Sequence, residues 1–265
     1  MNLKHFHPLS PRLIVALALA VLAFSDVVWA EDFLNDESYA EKTAIVEVFD
    51  PLEPFNRAVF NVNDKMFIWV LNPVSTGYSK VLPVDIRGCI GNFFYNLGEP
   101  VRSVNCLLQG RFRDSGSTIS RFCINTIAGV FGLADPASRE FKTPRVKATF
   151  GQTFSVWGIG DGFYMVVPLL GPSTLRDFSG DVAESFLSAT YHPWNNDIVT
   201  SSTVISTQYI NYISLHLGMY EDLKAMSFDP YVAFRNAYFQ SRNKMSDHVI
   251  LSSPTLSRPT LNINK

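Results

Sequence analysis

The chain has 265 residues, of which 17% are charged and 47% are apolar, and its formal net charge is −2. A balance this close to neutral does not favour binding to nucleic acid, which calls for a basic domain or stripe. Charged residues make up about a quarter of a typical soluble domain, so this chain has little charge with which to cover its surface. The surplus of apolar side chains predicts contact with lipid or with a large partner surface.

The first 30 residues are typical of an export signal. Lys4 and Arg12 precede a run of apolar residues at 13–24, which is too short to span a bilayer. Small residues follow, and we predict cleavage after Ala30. An uncleaved anchor helix is the alternative, which the shortness of the apolar run disfavours.

Beyond the signal, the composition divides the chain into three parts. Residues 31–49 form an acidic lead-in, residues 50–243 carry the main domain, and residues 244–265 form a Ser/Pro/Asn-rich tail that we predict to be mobile. The sequence contains no internal repeat. No segment after the signal reaches the ~18 uninterrupted apolar residues expected of a spanning helix.

Apolar spacing predicts helices through most of the main domain. Phe55, Val59 and Val62 begin a stripe with helical spacing that continues to Trp69. Because proline cannot continue a helix, Pro73 should end this one.

Glycine, proline and serine then suggest the boundaries of the next helices. A helix over roughly 84–97 should close at Gly98, and Pro100 suits the first turn of a new helix. Ser115 or Ser117 can cap the helix after that.

Later in the chain, a stripe from Ile205 to Leu223 predicts one long helix, and Asp229 should cap a last helix that begins at Pro230. Alternation that favours a strand is confined to residues 150–156. The predicted fold class is therefore mainly α, with little or no strand.

Two segments combine low charge with high apolarity. Residues 122–134 carry no charge, and between Gly158 and Leu175 the only charged residue is Asp161. Segments of this length are core, re-entrant or interfacial. Composition favours the core, because apolar side chains are mostly buried in globular proteins.

No motif for catalysis or metal binding is present. The sequence lacks a G-x-S-x-G elbow, and His192, His216 and His248 show no metal-ligand spacing. His216 falls on an apolar helical stripe, as a core histidine does. His192 could act as a base only if a distant serine and a distant acid lay beside it in the fold. An enzymatic function therefore remains an alternative that no motif supports.

Three cysteines lie within apolar helical stretches, and their spacing matches no metal-ligand pattern. We predict that all three are small buried hydrophobic residues, and no metal or other cofactor is expected. They are Cys89, Cys106 and Cys123.

Three alternate glycines, at positions 158, 160 and 162, invite comparison with a phosphate-binding loop. Such a loop opens a helix, but Pro168 and then the pair Gly171–Pro172 interrupt the chain that follows. We therefore reject a nucleotide site and interpret Gly158, Gly160 and Gly162 as a flexible lead into an apolar bend.

Two groups of polar residues need an explanation. A short basic loop follows the uncharged segment and could meet anionic lipid headgroups or simply be solvated; it contains Arg139, Lys142, Arg145 and Lys147. Asparagine is a poor residue for the middle of a helix, yet it recurs in the predicted helices. These asparagines either cap and cross-link helices or line a polar passage; they are Asn56, Asn61, Asn63, Asn92, Asn96, Asn105 and Asn125.

Five blocks follow one another in order along the chain. They begin with DPLEPFNRAVFNVND and include NFFYNLGEPVRSVNCLLQG and FGQTFSVWGIGDGFYMVVPLLGPSTLRD. The blocks cover residues 50–64, 92–110, 121–138, 150–177 and 229–242. Together they resemble the MlaA/VacJ family of outer-membrane lipoproteins.

The resemblance implies a ring-like bundle of amphipathic helices in the inner leaflet of the outer membrane. It implies a non-enzymatic protein that removes mislocalised glycerophospholipids from the outer leaflet through an amphipathic channel. The expected partners are those lipids, a trimeric porin and a soluble periplasmic lipid carrier, with no nucleic acid. The alternatives are a structural envelope protein that braces porins and, with less support, an exported lipid hydrolase that uses His192.

The resemblance also carries roles to particular residues. The first block contains polar residues near the segment that is expected to influence whether the channel opens, namely Asn56, Arg57, Asn61 and Asn63. The three glycines match the glycine block of the family, and the apolar bend that follows them is expected at the lipid-facing wall or the channel wall. One departure is the signal, which lacks a lipobox cysteine, since the first cysteine is Cys89. We therefore expect an unlipidated protein at the periplasmic face of the outer membrane.

Overall fold

The computed structural model describes residues 50–187 and 198–252, and within them the side chains of 50–187 and 202–243. The predicted signal, the lead-in and His192 lie outside the described residues. The elements are α1 (Glu53–Met66), a π-helical segment (Phe67–Leu71), α2 (Asn72–Val81), α3 (Val84–Leu108), α4 (Phe112–Ile127), α5 (Pro136–Arg139), α6 (Phe150–Val156), β1 (Tyr164–Val167), β2 (Gly171–Thr174), α7 (Leu175–Ser185), α8 (Ile198–Leu215), α9 (Met219–Ala225) and α10 (Pro230–Ser252).

The prediction of a mainly α fold is confirmed. Within the described residues, the two strands pair with each other as one antiparallel hairpin. No described helix has both the length and the apolarity that crossing a bilayer requires.

The first helical run continues through Pro73, where we predicted an end. Proline lacks an N–H, and its ring presses on the carbonyl of the residue four positions earlier. The π-helical segment directly before it has wider turns, in which the N–H of Asn72 donates to the carbonyl of Phe67. The wider turn gives the proline room, and the helix resumes as α2.

Helix α3 also runs unbroken where we predicted a boundary, at Gly98 and Pro100. The absence of a side chain at Gly98 leaves the space in which the guanidinium of Arg102 folds back along the helix. There it donates to the carbonyl of Tyr95, in the turn before Pro100.

Helices α3 and α4 pack against each other as an antiparallel pair. Neither Ser115 nor Ser117 caps α4, which begins at Phe112 without a side-chain cap. Ser115 lies inside the helix instead, and its hydroxyl is 2.7 Å from that of Ser103 on α3. Ser115, which we predicted as a cap, thus forms a contact between α3 and α4 instead.

The alternating segment at 150–156 is the helix α6, so the predicted strand is wrong. The hydroxyl of Thr149 accepts a hydrogen bond from the N–H of Gln152, and the Gln152 side chain accepts one from the N–H of Thr149. This capping box fixes the start of the helix. The strands come from the apolar bend that follows, with Val167 paired to Gly171 across the hairpin.

The late stripe from Ile205 to Leu223 is divided between α8 and α9. The division falls at Gly218, whose φ of 92° lies in the left-handed region that favours glycine. His216 ends up half-buried against the ring of Tyr212, as expected of a core histidine.

The last helix starts as predicted, since Asp229 accepts a hydrogen bond from the N–H of Val232 and Pro230 is the first helical residue. The helix continues to Ser252, beyond residue 244, where we expected the mobile tail to begin.

A cluster of buried aromatic and apolar side chains joins α1, β1 and α10, so the first and last described helices share one core. Its rings meet mostly edge-on or tilted, as aromatic pairs prefer. The members are Phe60, Tyr164, Val166, Tyr231, Phe234 and Tyr238.

Helices α6 and α7 touch at a glycine. A Cβ added at Gly180 would lie 2.3 Å from the backbone nitrogen of Gly151. Backbone cannot move aside as the end of a flexible side chain can. The close approach of these two helices therefore requires glycine at position 180.

Gly180→Ala should lower the free energy of unfolding by about 1–3 kcal/mol, because overpacking forces the two helices apart. The matched control is Gly77→Ala in α2, where an added Cβ meets no heavy atom within 4 Å. That change should leave stability equal or raise it by up to ~1 kcal/mol. Chemical denaturation followed by circular dichroism measures both, and equal effects would contradict the proposed contact.

Candidate functional site

The described residues distribute polarity in the opposite way from a water-soluble protein. Buried side chains include 25 polar or charged residues against 17 apolar ones, while 28 large apolar residues are exposed. Soluble proteins bury their apolar side chains and leave charged ones outside. This distribution indicates a protein whose outer surface faces lipid or an apolar partner.

Part of this apolar surface lies around the turn between α3 and α4. Phe112 is 72% exposed and Trp157 is 54% exposed. The indole N–H of Trp157 donates to the carbonyl of Leu108 at 3.2 Å, which joins the end of α6 to that turn. A tryptophan with a bonded N–H and an exposed ring is typical of a membrane–water interface.

A second part projects from the end of α4. We call residues 127–133 the apolar prong. Ile127 is 84% exposed, Phe131 is 73% exposed and Val130 is 62% exposed. We expected the uncharged segment 122–134 to be core, and this part of it is surface.

The prong has a strained backbone. Val130 and Phe131 have φ of 54° and 57°, in the left-handed region that residues with a side chain rarely adopt. Two backbone hydrogen bonds hold this geometry, from Phe131 to Thr126 and from Gly132 to Asn125. Such strain persists only where the surrounding structure enforces it, and it is found mostly at functional sites.

Asn96 supports the prong from below. A Cβ at Gly132 would lie 2.6 Å from the Cβ of Asn96, so the loop rests directly on α3. The Asn96 amide donates to the hydroxyl of Thr126 at 3.0 Å. Its oxygen is buried and has no partner within the described residues.

A buried ion network anchors the same region. Arg121 on α4 is fully buried and donates to Glu99 on α3 at 2.8 Å and to Asp135 at 3.0 Å. Burial alone would raise the pKa of Asp135, but hydrogen bonds from Ser138 and Arg121 outweigh it and hold that pKa well below its usual range. Asp135 is therefore a carboxylate, and the network joins α3, α4 and α5.

The basic loop of the sequence lies beside this network. Arg145 donates to Asp135 at 3.1 Å and to the amide oxygen of Asn92 at 2.7 Å. Asn92 in turn donates to the carbonyl of Leu133 in the prong. The exposed ammonium of Lys142 donates to the carbonyl of Arg139.

The fourth basic residue, Lys147, lies toward the start of α4, where Arg111 donates to its carbonyl. The structure thus places Arg139, Lys142 and Arg145 next to the base of the prong and Lys147 farther along the chain.

Two of the asparagines clamp the hairpin to α1. The amide of Asn56 donates to the carbonyl of Tyr164 at 3.2 Å and accepts from the N–H of Val166 at 2.9 Å. Asn63 lies seven residues, or about two turns, further along α1 and repeats this pattern with Val167 and Leu169.

Most of the remaining asparagines also cross-link elements. Asn105 accepts from the hydroxyl of Thr153 on α6, and Asn125 donates to Asp135. Asn61 is exposed on α1. Of the two alternatives left open by the sequence, these contacts favour cross-linking for the buried asparagines.

Three charged contacts at seven-residue spacing tie the start of the domain to its end. Asp50 accepts from Arg235, Arg57 donates to Asp229 at 2.8 Å, and Asp64 accepts from Lys224 at 2.7 Å. Arg57 is therefore part of a structural tie between α1 and the start of α10.

The three glycines form the loop between α6 and the hairpin. Gly158 and Gly162 have φ of 84° and 71°, which requires glycine, whereas Gly160 has no such conformation. The loop is exposed. The chain then continues into β1, where Tyr164 and Val166 are only 2% exposed. The core prediction for residues 158–175 thus holds for the hairpin and is wrong for the loop.

The cysteines are free and differ in exposure. Cys106 is fully buried, Cys89 is half-buried and Cys123 is exposed, so the prediction of three buried thiols is wrong for Cys123. No group of His, Cys, Asp and Glu among the described residues has the arrangement of a metal site.

Sequence inspection missed the residues on which this region depends, Glu99, Arg121 and Asp135. Each stands alone in its own segment, and their proximity arises only when α3 and α4 pair. The sequence offered little signal, because Glu99 and Arg121 lie in helices that also carry other charged residues, such as Arg102 and Asp114.

The fold and the polarity of its surface define a class, that of α-helical proteins with a largely apolar exposed surface. A family model described as MlaA lipoprotein matches residues 48–245. The chain therefore belongs to the MlaA lipoprotein family, which is a family of transport proteins rather than enzymes.

Several relatives support this membership. A protein of Escherichia coli strain K12, named intermembrane phospholipid transport system lipoprotein MlaA, is 33% identical over 198 residues, which cover 72% of this chain and 76% of that protein. A Haemophilus influenzae protein of the same name is 29% identical, over 77% of this chain and 82% of its own. An uncharacterised protein of Rickettsia felis is 29% identical, over 87% and 93%.

A solved structure has the same fold. It comes from work on the structural basis for maintenance of bacterial outer membrane lipid asymmetry, and it superimposes with a TM-score of 0.66 at 32% sequence identity. The match covers 75% of this chain and 99% of that chain.

One buried acid gives a testable pH dependence. Burial raises the pKa of Glu184 to about 7, against smaller opposing effects from the N–H of Phe150 and from Arg102 and Arg242. The folded protein thus retains a proton that the unfolded chain loses above about pH 4.5. The contribution of Glu184 to the free energy of unfolding therefore falls as the pH rises from about 4.5 to 7.

Glu184→Gln should remove this dependence and make the protein more stable than wild type at pH 8, by roughly 1–3 kcal/mol. Denaturation at pH 5 and pH 8 measures the effect. Glu140→Gln, at an exposed glutamate, is the control and should retain the wild-type slope. An unchanged slope in Glu184→Gln would contradict the assignment.

Proposed function

We propose that this protein removes mislocalised glycerophospholipids from the outer leaflet of the outer membrane and passes them to a soluble periplasmic carrier. The observation that carries the proposal is the combination of an apolar exterior with a polar interior, in a chain whose named relatives belong to a phospholipid transport system. A phospholipid needs a polar route for its headgroup and an apolar environment for its tails.

The proposed location is the outer membrane, with the helical bundle lying as a ring in its inner leaflet. The exposed apolar side chains support this, because burying them in lipid is favourable at roughly 25 cal/mol per Å². A trimeric porin and the periplasmic carrier are the partners that we propose on the basis of the family resemblance.

The proposed lipid passage uses the sequence-predicted residues in two ways. The buried asparagines Asn56 and Asn105 support its frame, since their amides are already bonded within the protein. Asn61 and the glycine loop are exposed and remain the candidates for contact with a moving lipid. In this proposal Gly160 lets the loop change shape as a lipid passes.

Deletion of the gene should increase the phospholipid content of the outer leaflet in the bacterium that encodes this protein. Labelling of intact cells with a membrane-impermeant amine reagent reports the exposed phosphatidylethanolamine. Unchanged labelling would overturn the transport proposal and favour a structural protein that braces porins. His192→Ala should transport lipid normally, whereas its loss of activity with an intact fold would favour a hydrolase.

Gly160→Val should fold like wild type, because an added Cβ at this position meets no heavy atom within 4 Å. It should nevertheless restore lipid asymmetry less well in the deletion strain, because a β-branched residue stiffens the loop. Gly162→Ala is the contrasting variant, since its φ of 71° and a Cβ contact of 3.0 Å with Leu175 predict lower stability. Full asymmetry with Gly160→Val would show that the loop is only a turn.

A further inference from the structure

We propose that the apolar prong and the basic residues beside its base form the site at which the protein inserts into a phospholipid layer that carries anionic headgroups. The basic residues are Arg139, Lys142 and Arg145. This inference rests on the proposed function and deepens it, because it names the element that enters the lipid and the headgroup class that it prefers.

The first support is the exposure of the prong. Ile127, Val130 and Phe131 are all more than 60% exposed, and the segment 122–134 around them contains no charged residue. The side chains of a soluble loop this exposed are normally polar. Apolar side chains that project together favour burial in an apolar phase.

The second support is that the prong is held outward rather than free to collapse. A β-branched residue in the left-handed region, such as Val130, is a conformational outlier. The backbone hydrogen bond from Phe131 to Thr126 and the contact of Gly132 with Asn96 maintain it. The protein therefore holds a strained loop in the conformation that exposes its apolar residues, which indicates selection for that exposure.

The third support is the charge at the base. Arg145 reaches the prong through Asn92, which donates to the carbonyl of Leu133. Arg139 and Lys142 are exposed residues on the connection that leads from the prong to Arg145. Apolar residues that enter the acyl region beside cations at headgroup level are typical of an interfacial lipid site.

The nearby acids compensate only part of this charge. Glu99 and Asp135 are paired with Arg121 and Arg145, and Glu140 is the one exposed acid between Arg139 and Lys142. The four cations Arg121, Arg139, Lys142 and Arg145 thus exceed the three carboxylates by one charge. An acidic protein surface would also suit the cations, but it would not bury the prong. Lipid satisfies both parts of the site.

Flotation of the purified full-length protein with vesicles tests the proposal. One set contains phosphatidylcholine alone, and the other contains phosphatidylcholine with phosphatidylglycerol. Wild type should bind both and prefer the anionic set, with a preference that salt weakens. Phe131→Ser should weaken binding to both sets, and Phe131→Leu should restore it.

The double variant Arg139→Gln/Lys142→Gln should lose the preference for anionic vesicles, by roughly fivefold for each charge removed, and still bind phosphatidylcholine. The matched control is Phe228→Ser, because Phe228 is fully exposed on the connection between α9 and α10, away from the prong in the chain. It should weaken binding less than Phe131→Ser does, because the prong is the proposed point of insertion. Thermal unfolding followed by circular dichroism verifies that each variant is folded.

The outcomes separate the two proposals. If wild type binds neither vesicle, both the lipid function and this inference fail. If wild type binds and Phe131→Ser binds equally well, or if Phe228→Ser is impaired to the same extent, the inference alone is overturned. The prong would then be a contact site for a protein partner.

Discussion

The buried guanidinium of Arg121 holds the centre of this molecule together. A charge removed from water is costly unless oppositely charged groups surround it, and here Glu99 and Asp135 supply two carboxylates from two other elements. Arg121 also donates to the hydroxyl of Ser138 and to the carbonyl of Thr143, so the extended chain after α5 depends on it as well. Removal of any member would leave an uncompensated charge inside the pair α3 and α4.

This arrangement explains why the surface can be so apolar. In a soluble domain the hydrophobic effect draws apolar side chains inward and thereby fixes the packing of helices. Here many apolar side chains face outward, so directional contacts take over part of that role. The clamps of Asn56 and Asn63 on the hairpin are two such contacts, and the charged ties between α1 and α10 are others. Polar packing of this kind specifies one arrangement even in apolar surroundings.

The sequence predicts the helical class well and the helix boundaries poorly. The helical spacing of apolar residues is set by many positions together. A helix boundary depends on one or two residues, and other contacts can compensate for their effect. Pro73 is accommodated by a π turn, and α3 continues through Gly98 and Pro100 without a break. The partners of Asn56 in the hairpin lie more than 100 residues away in the chain, so local sequence does not reveal this clamp. Nor does composition decide whether an uncharged segment, such as the prong, faces the core or lipid.

The contact between α6 and α7 has a consequence for how this sequence can change over evolutionary time. In most cores a larger residue on one side can be accepted once its neighbour becomes smaller, so paired positions drift together. Gly180 already lacks a side chain, and the atoms that it meets are the backbone of Phe150 and Gly151, which no substitution makes smaller. No substitution at a neighbouring position can therefore make room for a side chain at position 180. Descendants of this chain that keep the crossing of α6 and α7 should keep glycine there.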